Sequence, residues 1–225
     1  MQPIEFQGEE LIADASGALY WPAESCLIAA DLHLEKGSAF ALRGVLLPPY
    51  DSRVTLSTLA QAAARHNARR IIALGDSFHD AHGSARLAAS DRDAIFQLMR
   101  GREWIWIAGN HDPAPPDLGG VTLAELALGP IVFRHEPRPG MQPGEIAGHL
   151  HPCATVRGSG SRIRRRCFVG DGTRLVMPAM GAYAGGLDIF DAAFERILCG
   201  RHELIVLGRE RAFRVAECHL LRNAA

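Results

Sequence analysis

The sequence predicts a mixed α/β fold, a four-layer αββα sandwich in which two sheets face each other with helices outside. Two observations predict it. Three short apolar runs, Cys26 to Ala30, Ile71 to Leu74 and Trp104 to Ala108, each give way to polar residues or glycine, and helix-length segments separate them. Further apolar runs recur at closer intervals in the second half, with turn residues between them. Two facing sheets with outer helices would bury both sets of strands.

Apolar runs without polar alternation read as strands buried on both faces. Asp51 or Ser52 is expected to cap a helix running to about Ala68, with Leu56, Leu59, Ala60 and Ala63 along one side. A second predicted helix starts near Ser90, carries Ile95, Phe96, Leu98 and Met99, and stops at Gly101. Strand, helix, strand order implies a parallel sheet with right-handed crossovers for this half. Beyond it come Ile131 to Phe133, Glu145 to Ala147, Cys167 to Val169 and Leu204 to Leu207, with Pro139-Gly140 and Asp171-Gly172 as turns. That spacing favours antiparallel strands in a second sheet. Pro113 to Gly120 reads as a loop, and no repeat or linker divides the chain, so residues 1–225 read as a single domain.

Of the 225 residues 48% are hydrophobic, which suffices for a globular core. The 24 Lys+Arg and 25 Asp+Glu give a formal net charge of -1. No bulk field therefore draws the chain to nucleic acid or an anionic membrane, and any polyanion must be held locally. No apolar run reaches the roughly 18 residues of a membrane span, and the start, MQPIEFQGEE, is polar where a secretory leader is basic and then apolar. The five cysteines, Cys26, Cys153, Cys167, Cys199 and Cys218, are scattered and odd in number, which suits neither a disulfide framework nor a CxxC zinc site. A reducing cytoplasm is the expected location. Lys36 is the only lysine, so arginine supplies nearly all the basic charge. Guanidinium suits phosphate recognition, although coding bias is the simpler explanation.

Polar residues cluster directly after the strand runs: Asp31-Leu32-His33, Gly75-Asp76-Ser77-Phe78-His79-Asp80, Gly109-Asn110-His111-Asp112, His135 and Gly148-His149-Leu150-His151. Ligands of an open α/β sheet lie beyond the carboxyl ends of its strands, so these five segments can converge in space. A single histidine after a strand is most often structural. Five such segments together offer carboxylate, imidazole and amide donors without cysteine, a set suited to Mn²⁺, Fe²⁺ or Zn²⁺. They exceed the four donors of a tetrahedral site, which predicts two metals.

The series DLH, GDSFHD, GNHD, a lone His and GHLH resembles the calcineurin-like metallophosphoesterase superfamily, from Asp31 to His151 and in the same order. The resemblance implies a domain of two mixed sheets flanked by helices over residues 1–225. It also implies that Asp31, His33, Asp76 and His151 hold one metal and that Asp76 bridges to a second, held by Asn110, His135 and His149. His111 matches the leaving-group histidine. In such a site a metal-bridging hydroxide attacks phosphate in line while His111 assists departure. Two divalent ions, two aspartates and one hydroxide leave a charge of about +1, which attracts a phosphate anion.

GDSFHD is similar to the corresponding motif of double-strand-break repair nucleases, where the histidine matching His79 contacts the substrate phosphate. The alternative role for His79 or Asp80 is a hydrogen bond steadying Asp76. The segments DLHLEKGSAFALRG, LLPPYD and MPAMGAYAGGLDIF resemble the bacterial ligase-associated DNA damage response endonucleases. That likeness implies a manganese-dependent DNA phosphodiesterase in a repair pathway alongside a ligase, an exonuclease and a helicase. Single-stranded DNA is the preferred substrate in this reading, since no duplex-unwinding element is evident.

Arg157, Arg162, Arg164, Arg165 and Arg166 fall within ten residues on a predicted hairpin, and either contact DNA phosphates or form a solvated loop. Lys36 and Arg43 are alternative phosphate contacts. Trp104 and Trp106 sit inside a strand run, where core packing is favoured over base stacking. Tyr183 either approaches the site or satisfies backbone, and Cys153 reads as a bystander. Two other functions compete with a nuclease. A phosphoesterase for nucleotides or simple phosphate esters suits the near-zero charge better. A non-catalytic protein-binding platform would not be expected to retain the whole ligand set and His111.

Overall fold

The computed structural model describes residues 1–114, 117–157, 161–216 and 219–222, so Cys218 and part of the 113–120 loop lie outside the described residues. The first sheet runs β1 (Gln2–Phe6), β2 (Glu9–Ala13), β3 (Leu19–Trp21), β4 (Cys26–Ala30), β5 (Arg70–Leu74), β6 (Glu103–Ile107), β7 (Val121–Leu123), paired in sequence order. Its helices are α1 (Lys36–Ala41) and α2 (Asp51–Arg65) between β4 and β5, then α3 (Gly83–Arg86) and α4 (Ala89–Met99) between β5 and β6. The second half supplies β8 (Glu125–Leu128), β9 (Ile131–Arg134), β10 (Glu145–Ala147), β11 (Cys153–Arg157), β12 (Arg162–Gly170), β13 (Arg174–Val176), α5 (Ala192–Glu195), β14 (Glu203–Leu207) and β15 (Ala212–Val215). These strands form a sheet in the order β15-β14-β12-β13-β10-β9-β8, with β11 on β12.

Alternate residues of the central strands serve two cores, which is why they lack polar alternation. Ile28, Ile72, Leu74 and Ile105 face the second sheet, where they pack with Phe133, Ile146, Phe168 and Ile205. Leu27, Ile71, Trp104 and Trp106 face outward onto Leu56, Leu59, Ile95 and Leu98 of α2 and α4. Cys167, Val169 and Val206 complete the fourth layer against Phe194, Ile197 and Leu198. The αββα sandwich is the arrangement the sequence predicts.

Three details depart from expectation. Strands β4 to β7 are parallel, but β1 to β3 extend the same sheet as an antiparallel meander. The second sheet is not antiparallel throughout, because β10 runs parallel to both β9 and β13. Helix α2 ends three residues before Ala68, where Asn67 takes a left-handed φ of 48°. Its expected caps serve α1 instead: the Asp51 carboxylate accepts from the Gly37 N–H at 3.0 Å, and Ser52 Oγ accepts from the Glu35 N–H at 2.8 Å. The cysteines Cys26, Cys153, Cys167 and Cys199 are free thiols.

Candidate metal centre

Beyond the ends of β4 and β5 the chain runs on side by side. The His33 N–H donates to the Asp76 carbonyl at 2.9 Å and the Leu34 N–H to the Ser77 carbonyl at 2.9 Å. From the neighbouring elements, the His111 N–H donates to Asp76 Oδ1 at 2.9 Å and the His149 N–H to Asp31 Oδ2 at 3.0 Å. Asp31, His33, Asp76, His149 and His151 all have φ between 42 and 69°. That left-handed region is unfavourable for residues with a Cβ, and such strain concentrates where function holds it in place. Close approach also demands glycine: a Cβ on Gly75 would strike the His135 ring, and one on Gly109 would strike the Asp76 backbone and carboxylate.

Two donor groups result. One is Asp31, His33 and His151, the other Asp76, His135 and His149, each with its ligand atoms within 4.8 Å of one another. In the first, His33 Nε2 lies 3.2 Å from His151 Nε2, and His151 Nε2 lies 3.4 Å from Asp31 Oδ1. In the second, His149 Nδ1 lies 3.2 Å from His135 Nε2, which Asn110 Oδ1 also meets at 2.8 Å. Asp76 offers one oxygen to each group, Oδ2 at 3.9 Å from His33 Nε2 and Oδ1 at 3.4 Å from His135 Nε2. All seven sequence-predicted ligands therefore meet in one place.

These residues fit divalent cations. Asp31 Oδ1 is buried and accepts no hydrogen bond, while ring nitrogens converge beside it. A buried carboxylate oxygen without a partner is costly, and a cation removes that cost. Burial pushes His33 down to about 4, so its imidazole is neutral at pH 7, the form that binds a metal. Burial alone would raise Asp76, but the His135 hydrogen bond and charge and the His111 N–H outweigh it and hold the carboxyl at about 2. Oxygen and nitrogen donors without thiolate suit hard to borderline ions.

His111 and His79 stand at the mouth of the site. His111 Nδ1 meets the His79 carbonyl oxygen at 2.7 Å, and the two rings stack with centroids 5.3 Å apart. Burial, then the charges of Lys36 and His111, hold His79 below the ordinary histidine value, and Arg43 acts in the same sense. Lys36 and Arg43 thus lie on the His79 side of the site, Lys36 with its ammonium 5.8 Å from the Phe40 ring centroid. Asp80 pairs with Arg86 at 2.6 Å, and the Asp76 carboxylate is met by the His111 N–H and by His135.

The arginine cluster divides. β11 and β12 pair antiparallel with Arg157 opposite Arg162, as expected of the hairpin, whose residues 158–160 lie outside the described residues. Arg164 donates to the Gly186 carbonyl at 2.5 Å, and Arg165 is exposed. Arg166 is half-buried, its guanidinium donating to the Ala179 carbonyl at 2.6 Å. Trp104 and Trp106 are core residues, and the Tyr183 hydroxyl donates to the Pro48 carbonyl at 2.8 Å. One residue to which sequence reasoning gave no role is Asp112. Its Oδ2 accepts the Phe78 N–H at 3.0 Å behind the site, and burial raises its carboxyl to about 7. Its place directly after Asn110-His111 was the available clue.

No family model matches the chain, and no curated protein does. Among solved structures, the nuclease MPE of Pseudomonas putida superposes with a TM-score of 0.75 at 30% sequence identity, over 94% of this chain and 99% of that one. The chain belongs to the metallophosphoesterases, in the family of that nuclease. The E. coli phosphoesterase Yfce matches over 85% of this chain and 98% of that one, at 15% identity and a TM-score of 0.44. As a metallophosphoesterase the protein is a metal-dependent hydrolase of phosphoric ester bonds, and its two donor groups lie where β4 and β5 of the first sheet and β9 and β10 of the second end.

Proposed function

We propose that this metallophosphoesterase is a two-metal phosphodiesterase that cleaves DNA internally, prefers accessible single strands, uses manganese and acts in DNA repair in the cytoplasm. The observation that carries the reading is the pair of donor groups sharing Asp76, in a chain 30% identical to a nuclease over 94% of its length. Asp31, His33, Asp76 and His151 hold one cation in this reading, and Asp76, Asn110, His135 and His149 the other. Mn²⁺ leads, and Fe²⁺ or Zn²⁺ suits the same donors. When bound, the two ions would supply Lewis acidity toward the phosphoryl oxygens and would lower the pKa of a bound water.

The remaining work belongs to the protein. With Nδ1–H donating to the His79 carbonyl, His111 turns Nε2 into the site, and the ring protonated at Nε2 as well can pass that proton to the departing oxygen and return to the neutral form. His79, flanked by Lys36 and Arg43, offers donors to a non-reacting phosphate oxygen. Residues 1–225 act as one domain, and family likeness associates it with a DNA ligase, an exonuclease and a helicase.

The deciding experiment assays the protein with Mn²⁺, Mg²⁺, Zn²⁺ and Fe²⁺ on linear and circular DNA, single-stranded and duplex. Manganese-supported cleavage of circular single-stranded DNA is expected. Protein that leaves every DNA intact while hydrolysing a small aryl diester is a small-molecule phosphoesterase, the reading that a net charge of -1 favours.

A further inference from the structure

We infer that a cationic channel leading away from Asp31 holds the phosphodiester backbone of the substrate strand, with Arg209 and Arg211 as its outer contacts. The inference rests on the DNA-cleaving reading and gives it a binding surface. Met180 N–H donates to the Ala30 carbonyl at 2.9 Å and Gly181 N–H to the Asp31 carbonyl at 3.0 Å, so this segment lies against the strand end that carries the first predicted ligand. Together with Thr55, Thr58 and Arg166, it lines a cleft of about 270 Å³. Thr58 and Arg166 also line an adjoining groove of about 820 Å³, whose walls include Arg65, Arg209 and Arg211. Thr58 and Arg166 are common to both, so cleft and groove adjoin, and the groove reaches the turn between β14 and β15.

The lining selects the ligand. Four guanidinium groups, those of Arg65, Arg166, Arg209 and Arg211, meet two carboxylates in the groove, Asp14 and Glu210. Asp14 is taken up by Arg65 at 2.5 Å and His66 at 3.0 Å, which leaves Arg209 and Arg211 with Glu210. Both are exposed. Arg166 is anchored on the Ala179 carbonyl, and a guanidinium keeps further donors for an anion. Ser16, Thr58 and Gln61 add polar groups of the kind that contact phosphate and sugar. No aromatic ring lines cleft or groove, so bases have nothing to stack on there. A chain of net charge -1 must hold a polyanion by such local excess, and guanidinium forks do so bidentately.

The test compares kcat/KM for a labelled single-stranded oligonucleotide and for a small aryl diester, across salt, in the full-length manganese-loaded enzyme. Arg209→Ala with Arg211→Ala should flatten the oligonucleotide's log–log salt slope by about 1.4, from about 0.7 per lost phosphate contact. It should also lower kcat/KM for the oligonucleotide several-fold more than for the small diester. The Arg209→Lys, Arg211→Lys pair keeps both charges and should keep the slope, whereas Arg100→Ala, outside the groove, should not change it. Wild-type protein that cleaves the oligonucleotide, with the double alanine variant equally steep in salt, overturns the channel and leaves the nuclease reading standing. Wild-type protein that cleaves only the small diester overturns both.

Discussion

The Nδ1 atom of His111 meets the backbone oxygen of His79 at 2.7 Å. A carbonyl only accepts, so Nδ1 carries the hydrogen and Nε2 faces the site, 3.8 Å from Asp76 Oδ2. Replacing His111 with alanine removes the donor and keeps all seven predicted ligands. Turnover of an ester with a poor alkoxide leaving group should fall about 10²- to 10⁴-fold, and that of a nitrophenyl ester much less. Metal content, read by elemental analysis, should stay at the wild-type level. Equal losses with good and poor leaving groups would remove His111 from proton donation.

Asp76 is expected to be the residue whose loss disturbs both metals, since one of its oxygens faces each donor group. Asp76→Asn keeps the size but replaces one oxygen by an amide that cannot ligate in the same way. Elemental analysis of the variant should show fewer metal ions per chain than in wild type, and phosphodiesterase activity should drop by at least about a hundredfold. A variant that keeps the wild-type metal content would end the bridging role.

Gly109 packs against the Asp76 backbone and carboxylate. Gly109→Ala puts a methyl group onto the Asp76 nitrogen and carboxylate, neither of which can move without displacing the donor groups. A loss of about 1–3 kcal/mol in stability is expected, typical of overpacking a tight site, together with lost activity. Gly185→Ala, with nothing within 4 Å of the new carbon, serves as the comparison and should melt like wild type. Matching melting temperatures and activities for Gly109→Ala and wild type would contradict the close approach.

His135, His149 and His151 follow strands of the second sheet and were legible from their motifs. Asp31, Asp76 and Asn110 were legible in the sequence because each follows a buried run of a predicted parallel sheet, whose strands end on the same side. Ile28 and Ile72 read as interior residues for the same reason. The meander of β1 to β3 was not legible, since strands of three to five residues with mixed polarity, such as Gln2–Phe6, carry little periodic signal. Arg166 shows a different limit: a count of arginines records charge but not where the donors go, and its guanidinium faces the Ala179 carbonyl. Nor does sequence report that Asp31 and His149 occupy left-handed backbone, which depends on neighbours more than 100 residues away.

Acid stability tests a buried charge away from the metal centre. Asp14 is 1% exposed and bonds Arg65 and His66. Burial raises its carboxyl, but hydrogen bonds from Arg65, the Ser16 backbone and His66 outweigh that and hold it at about 2, against an ordinary 3.8. A depressed carboxylate binds fewer protons when folded than when unfolded. Its contribution is therefore complete above pH 3.8 and disappears as pH falls through about 2. The contribution is on the order of 1–2 kcal/mol, reduced from the full shift because water reaches Arg65. Asp14→Asn should accordingly be less stable than wild type to urea at neutral pH, and the gap should narrow between about pH 4 and pH 2. A gap that stays constant over that range would show that the Asp14 carboxylate is not what Arg65 and His66 stabilise.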